Sequence, residues 1–276
     1  MLRLEHFSGL AALATLVSGA AFAQTPCTTP SPDCVVVGDW DFSLSLGIGE
    51  RTSPVADASA IPLIVIPQIS YYGKRFFLEN LELGYTLLEG DAHTLNLIAT
   101  PGYDRVFFIR DDPQNYFVMG AGSALGPADL EDASQALERP RHTTYFTGPE
   151  WLFSVGSVTG QLSALYEATG RHKGYEVRAA VAAPLLQTTN SLVLSLGFTW
   201  KSAEVVDYYY GVERFYEPGA AASPFIKLGF SRPIAERWTI NAFVHHEFLG
   251  SAIADSPIVV DDSVTTVFAG IVFKVF

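Results

Sequence analysis

From Trp40 onward the chain alternates apolar and polar positions with a period of two, segment after segment. Trp40, Phe42, Leu44, Leu46 and Ile48 interleave with Asp41, Ser43, Ser45, Gly47 and Gly49. Leu81, Leu83, Tyr85 and Leu87 interleave with Glu82, Gly84 and Thr86, and the habit returns through Tyr175, Leu192, Ile226 and Trp238. Successive side chains of a strand point to opposite faces, so each segment reads as a strand with one apolar and one polar face. The pattern predicts strands near 40–50, 61–72, 75–88, 93–100, 103–110, 143–156, 161–169, 174–184, 190–201, 221–231, 237–248 and 263–276. That makes twelve, an even number, which brings both ends of the array to one side.

A soluble sandwich hides its apolar face and a membrane barrel turns it to lipid, so the period alone does not choose between them. The polar face is rich in Ser, Thr and Gly, as suits a barrel lumen. Aromatic residues gather near segment ends (Trp40, Tyr71, Tyr72, Phe76, Phe107, Phe108, Trp151, Trp200, Trp238), where interfacial girdles form. The final segment runs through Gly270, Ile271, Val272 and Phe273 to Phe276, resembling the terminal aromatic strand of outer-membrane barrels, with Lys274 on the same face as Phe276. The expected fold is all-β: a transmembrane antiparallel up-and-down β-barrel of about twelve strands. Gly73-Lys74, Pro101-Gly102, 156–160 and 232–236 then serve as short periplasmic turns, while the long polar stretches 51–60, 111–142, 202–220 and 249–262 lie outside.

Composition fits this picture. Mean hydropathy is +0.23 and only 17% of residues are charged, against about 25% in ordinary soluble domains. Past Ala23 no apolar run reaches the roughly 18 residues of a membrane helix, so the apolar content belongs to strands. Before it, Arg3, the short apolar stretch Leu10 to Val17 and Ala21-Phe22-Ala23 have the form of a secretory signal peptide over 1–23, cut before Gln24. The expected organisation is that signal, a flexible periplasmic leader over 24–38 and a barrel over 39–276. Cys27 and Cys34 lie in the leader and read as a small disulfide loop in an oxidising compartment; metal binding is the alternative, though no histidine accompanies them. The net charge is −12, and losing Arg3 with Glu5 leaves it unchanged. Nucleic acid is a poor partner for such a chain.

Candidate chemistry is sparse. His245-His246-Glu247 is the most suggestive cluster, but neighbours on a strand face opposite ways, so His245 points to the lumen and His246 to the lipid or interface. No nucleophile elbow, phosphate loop or zinc-protease spacing is present. His93, His142 and His172 stand singly. Glu82, Glu150, Glu167, Glu176, Arg178, Lys227 and Arg237 fall on the lumen face, either as a selectivity lining or as internal salt bridges that plug a narrow barrel. Tyr208-Tyr209-Tyr210 lie in an expected external loop, as a contact surface or folded down onto the rim.

Several phrases, in order along the chain, resemble the MipA/OmpV (MltA-interacting protein) family. They are Pro67-Gln68-Ile69-Ser70-Tyr71-Tyr72-Gly73, Arg75-Phe76-Phe77-Leu78, Leu83 to Leu88, Tyr209-Tyr210-Gly211-Val212, and Asp255-Ser256-Pro257-Ile258-Val259 before the terminal strand. The resemblance implies an outer-membrane protein without catalytic residues or cofactor. It further implies a scaffold for murein-remodelling enzymes, namely a lytic transglycosylase and a penicillin-binding protein, in contact with outer-membrane lipid and lipopolysaccharide. A small channel, or a surface receptor or adhesin using the external loops, is the alternative function. Cys27 and Cys34 are not part of the resemblance.

Overall fold

The computed structural model describes residues 37–56, 58–108 and 141–275. The expected signal peptide, both cysteines, most of the leader at 24–38 and Phe276 lie outside the described residues. The strands are β1 (Trp40–Arg51), β2 (Ile61–Pro62), β3 (Val65–Tyr72), β4 (Phe76–Glu79), β5 (Glu82–Glu89), β6 (His93–Pro101), β7 (Tyr145–Val155), β8 (Val158–Glu167), β9 (Tyr175–Gln187), β10 (Ser191–Lys201), β11 (Ala221–Ala235), β12 (Trp238–Phe248) and β13 (Ser263–Lys274). A 3-10 turn, η1 (Asp104–Phe107), and two short helices, α1 (Ala203–Tyr210) and α2 (Ser251–Ala254), lie in the longer connections.

Each strand pairs antiparallel with its sequence neighbour, and β13 closes on β1 from Ser43↔Lys274 to Arg51↔Thr266. β2 and β3 behave as one strand with an irregularity at Leu63–Ile64, because the Leu63 N–H still reaches Gly49 O (2.8 Å) and the Gly47 N–H reaches Ile64 O (2.9 Å). The result is a closed ring of twelve strands, in which the β2–β3 strand meets β4 at Ser70, Tyr71 and Tyr72.

The faces are inverted relative to a soluble protein. Leu46, Ile48, Leu83, Leu97, Leu162, Val181, Leu196, Ile226, Leu228, Ile240 and Val244 are exposed on the outside. Ser43, Ser45, Asn96, Glu150, Ser163, Arg178, Lys227, Asn241 and Thr266 are buried inside. A barrel with an apolar exterior and a polar lumen belongs in lipid. Trp40 against Tyr71 (5.0 Å) and Trp238 against Phe273 (4.6 Å) begin an aromatic girdle at the end that carries the short turns. Among the described residues no helix is long and apolar enough to cross a membrane.

The expected count of twelve strands is met, but through two offsetting differences. The expected single strand 75–88 is a hairpin, β4 and β5, turning at Asn80–Leu81, where Asn80 takes a left-handed φ of 52°. Asparagine is one of the few side chains that tolerate this conformation. In place of the expected strand 103–110 the described residues 103–108 hold η1, which is buried inside the barrel, and 109–110 lie outside the described residues. Pro101-Gly102 therefore lies at the loop end and is no periplasmic turn: β6 ends there beside the start of β7 (Pro101↔Tyr145). Phe107 and Phe108 consequently leave the girdle for the interior, 7% and 5% exposed.

Candidate functional site

The loop end is closed from within. Val55, Leu63, Phe107, Phe108, Phe146, Val205, Val206, Tyr209, Tyr210 and Ile253 form one buried apolar cluster, drawn from four connections and the strand ends beneath them. α1 supplies its centre. Val205, Val206, Tyr209 and Tyr210 recur at helical spacing and so share one buried face, while Glu204 suits the positive first turn. Its C-terminal carbonyls, which no helix can satisfy internally, are met by neighbours. Arg141 donates to Tyr209 O (3.3 Å) and Gly211 O (3.1 Å), and Ser256 Oγ donates to Tyr210 O (2.6 Å). Thr144 Oγ1 meets the Tyr209 hydroxyl at 3.0 Å, the His142 N–H donates to the Tyr208 hydroxyl at 3.0 Å, and Tyr216 donates to Ala252 O at 3.1 Å. Three outer connections are thus sewn to one another.

Beneath this plug lies a charged layer. Lys201, the last residue of β10, places its Nζ 2.5 Å from Asp104 Oδ1, and the Tyr210 hydroxyl donates to the same oxygen at 2.8 Å. Burial raises the pKa of the Asp104 carboxyl, but the adjacent Lys201 ammonium and the donated hydrogen bonds outweigh it and hold that pKa below the usual range. Burial and the neighbouring Asp104 charge push the Tyr210 phenol well up. Arg51 reaches Thr266 Oγ1 (3.2 Å) and lies over the Phe107 ring (5.0 Å), with Glu247 at 4.0 Å. Arg178 pairs with Glu176 at 2.6 Å and stacks on Tyr103 at 5.1 Å. Glu150 accepts from Asn96 (2.9 Å) and Gln161 (2.6 Å). Lys227 sits over Phe243, 5.3 Å from its ring centroid, and is the cross-strand neighbour of His245.

Of the lumen residues expected from sequence, Glu82, Glu150, Glu176, Arg178 and Lys227 are inside and buried. Arg237 is not: it occupies the exposed two-residue turn between β11 and β12, because β11 runs on to Ala235 and moves the turn past the expected 232–236. Glu167 is buried but serves the 168–174 connection, accepting the N–H groups of Thr169 (2.6 Å), Arg171 (2.9 Å), His172 (3.2 Å) and Lys173 (3.0 Å). Tyr209 and Tyr210 are fully inside, at 0% and 1% exposure, and Tyr208 is half-buried, so this run folds down as part of the plug and offers no external contact loop. His245 faces the lumen, while His246 on the other face meets Thr265 Oγ1 at 2.8 Å. Among the described residues no group of three His, Cys, Asp or Glu side chains is placed to hold a metal ion.

The sequence reading missed Asp104, Lys201, Arg51 and Arg141. Asp104 was hidden within an expected strand. Lys201 and Arg51 each end a strand at an inward position, which the alternation alone could have flagged.

Comparison with known proteins places the chain. The family model for the MltA-interacting protein MipA matches residues 43–275. A protein of Escherichia coli O157:H7, provisionally named outer membrane protein YiaT, is 24% identical over 248 residues, covering 85% of this chain and 91% of that one. The MltA-interacting protein of Escherichia coli K12 is 22% identical over 251 residues, covering 84% and 90%. Among solved structures, the anion-selective porin from Comamonas acidovorans aligns over 86% of this chain and 98% of its own, with 8% identity and a TM-score of 0.40. With the inverted faces of the barrel, the family match and the two Escherichia coli relatives make this an outer-membrane protein; barrels of that membrane keep short turns on the periplasmic side and long loops outside.

Proposed function

The chain belongs to the MltA-interacting protein family, and from that premise we propose a non-enzymatic barrel that docks murein-remodelling enzymes at its periplasmic end. The relative from Escherichia coli K12 is named for interaction with MltA. By that kinship the partner here is a lytic transglycosylase, with a penicillin-binding protein as the second client.

The observation that carries this reading is the sealed mouth. Tyr209, Tyr210, Phe107 and Phe108 are buried together inside the loop end of the barrel, and Arg141, Ser256 and Lys201 tie the segments that carry them in place. A barrel stoppered at its loop end favours a scaffold over an open channel. The connections at the other end are short, and a stable interface buries roughly 1,200–2,000 Å² in total. The leader at 24–38 would supply the remaining contact, while the apolar belt sits in outer-membrane lipid and lipopolysaccharide.

The test is a binding titration of the full chain in lipid nanodiscs against the soluble part of a lytic transglycosylase, and separately of a penicillin-binding protein. Saturable binding is expected, weakened by deletion of 24–36. Binding that survives the deletion removes the leader from the interface; none with either enzyme ends the docking reading. Planar-bilayer recordings should be silent, and stepwise conductance would favour a channel. Loss of a hydrolytic activity in His245→Ala would be needed to revive an enzyme.

A further inference from the structure

Among the described residues the wall of the barrel has a low point between β3 and the β4–β5 hairpin. β3 pairs with β1 over its whole length, from Val65 to Tyr71, and β2 extends that pairing to Arg51↔Ile61. On its other side, among the described residues, the strand pairs only with β4, at Ser70, Tyr71 and Tyr72. The β4–β5 hairpin stops at the level of Ile69, and residues 61–68 rise above it, about eight residues or some 25 Å of strand.

The lowest rung of this edge is completed by a side chain, and the next position aimed at the gap is proline. Asn80 donates its N–H to Ile69 O (2.7 Å) and accepts the Ile69 N–H on its side-chain oxygen (3.1 Å), completing the last rung. Peptide groups alternate in direction along a strand, so the next one aimed at the gap is that of residue 67. Residue 67 is proline, which has no N–H to leave unpaired in lipid. Phe77 lies across Gly84 and locks the short hairpin, since a Cβ at Gly84 would fall 1.9 Å from the Phe77 ring.

The lip of the gap is acidic on its inner face. Glu79 and Glu82 are directly opposed across the hairpin, both turned to the lumen, an arrangement that repels unless something positive lies between. Glu82 is only 3% exposed; neither of its carboxylate oxygens has a hydrogen bond of good geometry, and the Arg178 charge and the Thr100 hydroxyl act on it from within the lumen. The Thr100 hydroxyl lies beside Glu82 and also meets the Tyr103 hydroxyl at 3.4 Å. Glu150, on the same wall, is by contrast fully satisfied by Asn96 and Gln161.

We propose that the gap above Asn80–Leu81 is a lateral portal between the outer leaflet and the lumen, and that Glu79 and Glu82 at its lip receive the ammonium group of a cationic amphiphile. The apolar surroundings take the tail. Val65, Pro67 and Ile69 line the membrane side of β3, and Leu83 and Tyr85 that of β5. An ammonium group satisfies the two carboxylates through charge-assisted hydrogen bonds. A metal ion does not fit, because no trio of ligands is assembled among the described residues. The buried cluster at the loop end stands across the approach from outside, which favours the side of the wall.

The experiment is photolabelling of the full chain in lipid nanodiscs with three long-chain probes of equal length carrying a diazirine: an alkylammonium, an alkyl sulfate and an alcohol. Peptide mass spectrometry reads the labelled positions. The ammonium probe should label residues 64–68 and 79–82 at least about ten-fold more than the other two, a difference near 1.4 kcal/mol. The E79Q/E82Q double variant, checked for the heat-modifiable mobility of a folded barrel, should lose that preference. Equal labelling by the three headgroups on the wild-type chain, or label spread evenly around the belt, would overturn the proposal without reliance on any variant.

Discussion

Lys201 and Asp104, ninety-seven residues apart, meet at 2.5 Å under the stopper of the barrel, and the Tyr210 hydroxyl completes the contact. One partner ends a wall strand and the other belongs to the loop that enters the lumen, so this ion pair fastens plug to wall. Removing one partner of a buried pair strands the other charge. Lys201→Met should therefore lower stability by about 3–5 kcal/mol, and Lys201→Met with Asp104→Leu should recover much of that loss. Urea unfolding in detergent micelles, followed by tryptophan fluorescence and analysed as a double-mutant cycle, measures both.

The anchoring of α1 gives a second expectation. Arg141 holds two carbonyls at the end of that helix, at Tyr209 and Gly211. Arg141→Ala should leave the ring of strands intact but free the stopper, so that limited proteolysis from the outside cuts within 202–220 several times faster. Unchanged cleavage kinetics would mean that Ser256 and the aromatic packing suffice.

A pH dependence follows from His172. Burial against Phe146 (5.6 Å) and Tyr208 (5.1 Å) lowers its pKa from 6.5, and its Nδ1 accepts the Gly174 N–H at 3.1 Å, which requires the neutral ring. A depressed folded-state pKa stabilises the fold above the unfolded value, and that contribution is lost as pH falls through the folded one. The 168–174 connection should be firm at neutral pH and loosen as the medium is acidified below about 6.5. Hydrogen exchange of residues 168–174 at a series of pH values checks this, and His172→Gln should flatten the profile.

Gly84 offers a packing test. Gly84→Val must displace the Phe77 ring, an overpacking that costs typically 1–3 kcal/mol. The hairpin β4–β5 has only four paired positions, Phe76↔Tyr85 to Glu79↔Glu82, so the disturbance should stay local. Exchange should quicken in residues 76–85 while the other strands keep their protection.

Much of the wall was legible because period-two alternation is a direct image of a strand between lipid and lumen. The strands at 40–51, 191–201 and 238–248 lie within one residue of their expected bounds. The differences arise where alternation has two meanings. Through 75–88 the two-residue turn inverts the in–out phase, with Phe77 and Glu79 facing in before it and Glu82 and Gly84 after it; Phe76, Phe77 and Leu78 are apolar on both faces and hide the inversion, so only Asn80 marked the break. Through 103–108 Val106, Phe107 and Phe108 are buried in a plug and not set between lipid and lumen, so alternation no longer reports a strand. The site was less legible for a related reason. Glu82, Glu176, Arg178 and Lys227 could be assigned to the lumen from parity alone, but which charge meets which depends on register around a ring, and Lys201 with Asp104 joins a strand to a loop. The burial of Tyr209 and Tyr210 did have a local signal: with Val205 and Val206 they keep helical, not strand, spacing.

The seam between β13 and β1 carries a last implication. Lys274 Nζ and Asp41 Oδ2 meet at 2.5 Å across it, and the Val275 N–H reaches Phe42 O at 2.8 Å, so the first and last strands emerge side by side. A short linker could join them without altering a single rung of the ladder. The chain could then be opened at an outer connection such as 249–262, giving a circularly permuted barrel in which β13 comes first. The order in which strands are synthesised would become separable from the order in which they stand in the wall.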